Sequence, residues 1–107
     1  MDKLYPIKNY LELSPRYMMT EYGDVYDTEK GKIVEQITHK GYQVVKINHT
    51  YKLIHILVAN TFIPTQNNCM FVKHLDRNKR NNHKDNLIWY NQNNYECESD
   101  HILLKIS

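Results

Sequence analysis

Long apolar runs are missing from this chain of 107 residues. No stretch reaches the roughly 20 apolar residues that a membrane-spanning helix needs. The N-terminal residues Met-Asp-Lys-Leu-Tyr-Pro also lack the apolar core of a signal peptide. We therefore expect a soluble, intracellular protein with no membrane partner. At this length the chain should form one domain, or two very small ones that share a core.

Cysteine is scarce, because Cys69 and Cys97 are the only two in the chain. Two thiols do not make the disulfide framework of a small secreted domain, and their spacing matches no zinc knuckle. We expect two free, partly buried thiols. The alternative is a zinc site in which one or both cysteines act together with a histidine.

Strong charge of either sign is missing as well, since the formal net charge is only +2. The distribution of charge is more informative than its sum. Residues 71–84 carry five basic side chains against one acidic side chain, Asp76. A local basic loop can contact phosphate groups even when the whole chain is nearly neutral. The alternative is a solvated loop whose charges only provide solubility, and the charge pattern alone favours neither.

What the chain does contain is a series of short β-strand patterns followed by one helical pattern. Strands are predicted near residues 17–20, 25–27, 33–38, 42–47 and 51–53, with turns at glycines and at Asn48-His49. Apolar residues then take helical spacing from Ile54 to Phe62, and Pro64 ends the helix. We interpret His55, at the start of this helix, as a structural rather than a catalytic histidine.

The most informative stretch runs from Val72 to Trp89. One apolar run ends at His74 and another begins at Leu87, so the pattern predicts strand, loop and strand. The loop between them concentrates Asp, Asn, His and basic side chains. A polar loop held between two apolar anchors is a common way to place reactive groups on a rigid scaffold.

Three groups of residues in this stretch resemble the His-Asn-His (HNH) motif of phage-type homing endonucleases: His74-Leu75-Asp76-Arg77-Asn78, Asn81-Asn82 and Asn86-Leu87-Ile88-Trp89. Two upstream segments also resemble parts of these endonucleases. They are Tyr22–Tyr26 with Gly41-Tyr42, and His55–Pro64, where Ile56 stands in place of the usual Arg.

The resemblance implies an α+β fold in which a small antiparallel β meander and a spine helix pack on a ββα-metal finger. The spine helix is the one predicted from Ile54 to Phe62. We divide the chain into an N-terminal segment (1–16), a β-rich module with the spine helix (17–63), the HNH-like finger (64–99) and an apolar tail (100–107). A short helix that begins at Asn91 would complete the finger.

The resemblance also implies roles for individual residues. His74 matches the general base that takes a proton from water, and Asn86 matches the Asn that orients the catalytic loop. Asp76 would brace the loop through backbone hydrogen bonds, and in a rearranged site Asp76 or Asn94 would bind the metal. Contacts to nucleic acid are expected from six side chains of this stretch: Lys73, Arg77, Lys79, Arg80, His83 and Lys84. His83 has no fixed role in the family, and we expect it to be exposed or to face phosphate.

Two departures from the family pattern concern the metal. Lys73 stands where the family has an Asp or Asn ligand, and a protonated amine cannot donate a lone pair to a cation. Tyr95 stands where the second ligand is expected. The residues that shape the loop therefore match the family well, whereas the metal-ligand positions match badly.

These observations leave three functional hypotheses. The first is a DNA endonuclease that depends on Mg²⁺ or Mn²⁺. The second is a catalytically degenerate HNH protein, without a cofactor, that binds DNA or RNA. The third is a structural module that joins a protein assembly through its apolar tail. The abundance of Asn, Lys, Ile and Tyr, which an AT-rich genome tends to encode, hints at a virus, a phage or an organelle as the source. A viral source would place the protein in host cytoplasm, nucleus or virion.

Overall fold

A computed structural model describes residues 2–10, 12–64 and 69–91. Within these ranges the chain forms nine β-strands and one α-helix, and the strands make three antiparallel sheets. The predicted α+β fold is confirmed. No helix in the described ranges has the length and hydropathy that crossing a membrane requires.

The first sheet contains four short strands in sequence order: β1 (Tyr5–Pro6), β2 (Tyr17–Met19), β3 (Val25–Asp27) and β4 (Lys32–Ile33). In β2 and β3 buried and half-buried residues alternate, as in strands that turn one face to a core. Strand β1 pairs with β2, so the N-terminal segment contributes an edge strand to this sheet.

The prediction of one continuous strand over 33–38 is wrong, because these residues are divided between two different sheets. Ile33 ends β4, and the next strand, β5, begins at Gln36. Val34 still donates its backbone N–H to β3 at 2.8 Å, whereas Gln36 pairs within the second sheet. A continuous run of β-forming residues does not reveal the point at which the chain leaves one sheet for another.

The second sheet contains β5 (Gln36–His39), β6 (Tyr42–Ile47) and β7 (Thr50–Leu53), in that order. The turn between β6 and β7 consists of Asn48 and His49, both with positive φ (52° and 66°). Two successive residues with positive φ are typical of a tight two-residue hairpin. The predicted hairpin tip is therefore confirmed.

Helix α1 (Ile54–Phe62) follows β7 directly and has the predicted bounds. It ends where the N–H of Ile63 bonds the carbonyl of Ala59 at 3.0 Å, just before Pro64, which has no N–H to continue the helix. The helix packs into the main core through Ile54, Leu57 and Val58. They lie against residues of both large sheets, which include Met19, Val25, Val45 and Ile47.

The third sheet is the finger hairpin, made of β8 (Phe71–His74) and β9 (Leu87–Tyr90), with a single 3-10 turn at Lys84–Asn86. Side chains alternate between the two faces of a hairpin. The mostly buried face, towards α1, holds Val72, His74, Leu87 and Trp89, and the outer face holds Phe71, Lys73, Ile88 and Tyr90.

Trp89 joins the finger to the spine helix. Its ring packs against Ala59 and Cys69, and its Nε1–H donates to the carbonyl of Ile63 at 3.0 Å. The expectation of a free thiol is wrong for Cys69, which is disulfide-bonded. The predicted helix after Asn91, the candidate ligand Asn94 and the apolar tail lie outside the described residues.

Candidate functional site

His74 ends β8 on the mostly buried face of the finger and is only 8% exposed. Its Nε2 lies 2.7 Å from Oδ1 of Asn82. When that amide oxygen accepts, Nε2 carries the hydrogen and the lone pair of the neutral ring is on Nδ1. The loop between β8 and β9 (residues 75–86), which we call the finger loop, therefore holds His74 through its own Asn82.

Asp76 and Asn86 fix the shape of the finger loop by bonding to each other. The Asn86 Oδ1 accepts from the backbone N–H of Asp76 at 3.1 Å, and its Nδ2 donates to Asp76 Oδ1 at 2.9 Å. The same Nδ2 also donates to the carbonyl of Asn81 at 2.8 Å. The hydrogen bonds of the Asn86 side-chain amide thus close the loop across its base.

The carboxylate of Asp76 accepts hydrogen bonds from three groups. They are the side chains of Asn81 and Asn86, each at 2.9 Å, and the backbone N–H of Asn78 at 2.8 Å. The bond from Asn81 contributes most to holding the pKa of Asp76 below its usual value, followed by those from Asn78 and Asn86. Asp76 is accordingly an ionised brace of the loop at neutral pH.

The described residues do not provide a fitting site for a divalent metal. Within the described ranges, no three His, Cys, Asp or Glu side chains come close enough to hold an ion. Asp76 already uses both carboxylate oxygens within the loop. Lys73, at the usual ligand position, lies on the hairpin face opposite His74, 5.8 Å from the ring centre of Tyr90. The assignment of Asp76 and Asn94 as ligands stays a prediction.

The six predicted nucleic-acid contacts fall into two groups. Arg77, Lys79 and Arg80 are exposed on the finger loop. Lys73, His83 and Lys84 are half-buried and engaged within the protein. The loop therefore presents three neighbouring cations to solvent.

The comparisons with known proteins agree with this geometry. No family model matches the chain. An uncharacterised HNH endonuclease of Acanthamoeba polyphaga mimivirus is 39% identical over 84 residues, which are 74% of this chain and 26% of the relative. The H-N-H endonuclease F-TflII of Escherichia phage T5 is 33% identical over 81 residues, which are 69% of this chain and 42% of the relative.

A solved structure that concerns DNA binding and cleavage by the HNH homing endonuclease I-HmuI matches with a TM-score of 0.70 and 30% identity. The match covers 85% of this chain and 53% of that chain. The chain belongs to the HNH-endonuclease-like family. It spans about half or less of the length of these relatives.

In this HNH finger, His83 and Lys84 attach the finger loop (residues 75–86), which is called the HNH loop from here on, to the first sheet. The backbone N–H of Lys84 donates to the carbonyl of Glu21 at 2.9 Å, and its ammonium lies 3.7 Å from the Glu21 carboxylate and 3.2 Å from that of Asp85. The ring of His83 packs edge-on against Tyr22 at 4.6 Å between centroids. Both side chains thus have partners within the protein.

Two residues beside His74, His55 and Tyr42, were not among the predicted site residues, and His55 was interpreted as structural. The ring of His55 lies 5.1 Å from that of His74 and is stacked on Tyr42, with centroids 5.0 Å apart. Burial, and secondarily the charge of His74, lowers the pKa of His55 to about 4, so His55 is neutral at pH 7. The sequence signals for His55 were its position at the first turn of helix α1 and its place in the His55–Pro64 segment that resembles the family.

Gly23 sets the approach of the first sheet to the HNH loop. Its φ is +95°, and an added Cβ would lie 2.9 Å from Ile54 Cγ2 and 3.1 Å from Asn82 Cβ. We expect Gly23→Ala to displace Asn82 and to reduce the free energy of unfolding by about 1–3 kcal/mol. Urea denaturation measures this change.

Gly31→Ala is the matched control for that substitution. Gly31 also has positive φ (+69°), but its added Cβ would meet only the Tyr26 hydroxyl, at 3.9 Å. It therefore carries backbone strain without a clash. Equal destabilisation by the two variants would show that the contact with Asn82 and Ile54 has no consequence.

Proposed function

We propose that this chain is a DNA-binding protein that holds the phosphodiester backbone against its HNH loop. The observation that carries the proposal is the exposure of Arg77, Lys79 and Arg80 on a loop whose shape the Asp76–Asn86 bonds fix. Guanidinium and ammonium groups bind phosphate oxygens, and a preorganised loop loses little conformational entropy on binding.

The choice of DNA rests on the relatives. The solved structure of I-HmuI concerns DNA binding and cleavage, and both relatives described above are HNH endonucleases. They belong to a virus and a phage, and we therefore propose that the chain meets DNA inside an infected cell. RNA remains a competitor that the binding experiment must test.

Hydrolysis of the bound DNA is the second candidate function, and one observation favours it. His74 is held by Asn82 beside a second histidine that is neutral at pH 7, so its imidazole is oriented and this neighbour adds no positive charge. A neutral imidazole is suited to take a proton from water near neutral pH. Cleavage would also need Mg²⁺ or Mn²⁺, and the donor set of the described residues does not fit either ion. Binding is therefore the first proposal.

Fluorescence anisotropy with a labelled DNA duplex tests the binding proposal. We expect salt-dependent binding, with log K falling linearly as log salt rises. An RNA duplex of the same sequence is the competitor. Binding that is absent at low salt, or equal for RNA and DNA, would contradict the proposal.

A plasmid-nicking assay with Mg²⁺ or Mn²⁺ tests the second candidate. Metal-dependent nicking by the wild-type chain, lost in His74→Ala, would establish the chain as a nuclease. Binding without nicking would identify it as a degenerate HNH protein. Nicking that survives in His74→Ala would rule out His74 as the base.

A further inference from the structure

Three aromatic rings from three different elements meet beside the HNH loop. Tyr42 begins β6, His55 is the second residue of α1, and His74 ends β8. Tyr42 and His55 are stacked, with an interplanar angle of 20°. The ring of His74 is 5.1 Å from that of His55 and 6.4 Å from that of Tyr42. We call these residues the ring cluster.

The HNH loop contacts the ring cluster at both ends. The ammonium of Lys79 lies 4.3 Å from the ring centre of Tyr42, close enough for a cation–π interaction. Asn82, three positions later in the loop, is bonded to His74 at 2.7 Å. A basic residue of the proposed DNA surface is therefore connected to His74 through the contacts of the three rings as well as along the backbone.

Burying a second histidine beside His74 costs free energy, so we expect this histidine to have a function there. Burying an imidazole disfavours its charged form, and a phenyl ring of similar size would fill the space without that penalty. His55 is 6% exposed and lies against His74, with no acidic side chain in the ring contacts that surround the pair. The other titratable or charged groups in those contacts are Tyr42 and Lys79.

We infer that His55 and Tyr42 are positioning residues of the HNH site, whose stacked rings hold His74 in one orientation and hold Lys79 at the DNA surface. This inference rests on the proposed function for its effect on DNA. Its effect on His74 can be observed in the free protein. Neutral rings suit this role because they restrict the imidazole without adding a positive charge beside it.

The test compares His55→Ala, which removes the ring, with His55→Phe, which keeps a neutral ring in the stack. Val25→Ala is the control for a loss of buried volume, since Val25 is fully buried in β3, outside the ring contacts. The first measurement is the separation of the two His74 ring-nitrogen signals in a long-range ¹H–¹⁵N spectrum. The second is the dissociation constant for a DNA duplex.

In the wild-type chain, His55→Phe and Val25→Ala, we expect two widely separated nitrogen signals, as for a single tautomer. In His55→Ala they should converge, because a ring that can reorient also exchanges between its two tautomers and averages the two signals. Duplex binding should weaken roughly tenfold in His55→Ala relative to Val25→Ala, which corresponds to ~1.4 kcal/mol, because the loss of the His55 ring releases Tyr42 and with it the Lys79 ammonium. His55→Phe should restore both properties.

Unchanged signals in His55→Ala would overturn the inference, and so would equal convergence in Val25→Ala. If His55→Ala does not fold, Tyr42→Leu removes the half-buried ring of the stack and should give the same convergence; unchanged His74 signals there would overturn the inference. A wild-type chain that binds no duplex would defeat the proposed function instead, and the His74 signals would still decide whether the rings position it.

Discussion

Replacing Arg77, Lys79 and Arg80 together by glutamine is expected to weaken duplex binding by roughly 100-fold to 1,000-fold near 0.1 M salt. All three side chains are exposed on the HNH loop. Each phosphate contact releases a condensed counterion, so the loss of three contacts should also reduce the slope of log K against log salt by about 2.7. Anisotropy titrations over a salt series measure both quantities.

Lys84→Gln is the control because it removes one positive charge from the same loop at a position that is not exposed. The ammonium of Lys84 is already paired with Glu21 and Asp85, so its loss should change duplex affinity less than threefold, as expected for a charge that makes no phosphate contact. If the triple variant kept the wild-type salt slope, the loop would not be the phosphate-binding surface.

The largest expected effect on stability is that of Trp89→Ala, about 3–5 kcal/mol of the free energy of unfolding. Trp89 is 5% exposed, packs on Ala59 and donates to the carbonyl of Ile63 at 3.0 Å. Truncation leaves a cavity and an unsatisfied carbonyl between the finger and α1. Since small domains have only about 5–15 kcal/mol of stability, the midpoint of urea denaturation should fall steeply.

Phe71→Ala provides the comparison on the outer face of the same hairpin. Phe71 is 44% exposed and packs only partly, against Tyr90 with ring centroids 5.4 Å apart. We expect a loss of about 1 kcal/mol or less, as for an exposed aromatic pair. Comparable losses in the two variants would mean that the finger is not held to the helix through Trp89.

The sequence correctly predicted those elements whose apolar residues follow a single helical or strand periodicity. Helix α1 has the predicted bounds, and strand β9 begins at the predicted Leu87, because apolar spacing together with the flanking Pro64 and polar loop defines these ends. The motif also predicted that Asp76 and Asn86 shape the loop, but not that the two side chains bond to each other across ten positions. Such features depend on neighbouring residues or on a known family pattern.

Long-range packing determined what the sequence did not reveal. The change of sheets between Ile33 and Gln36 depends on which strand edges are available for pairing. His55 has the pattern of a buried helix residue, and only the fold brings it 5.1 Å from His74. The division of the basic residues into exposed and internally paired ones likewise depends on Glu21 and Tyr22, which are remote in sequence.

The contacts of the HNH loop with both large sheets limit how freely this motif can be exchanged between proteins. Gly23 has no side chain that would displace Asn82. The carbonyl of Glu21 accepts a hydrogen bond from Lys84. The side chain of Lys79 lies against Gly41 and places its ammonium over the ring of Tyr42. A graft of residues 69–91 onto another scaffold would lack all of these partners. A transfer of the finger to another protein must therefore include the strands upstream of it, and the finger and its β module are expected to diverge together.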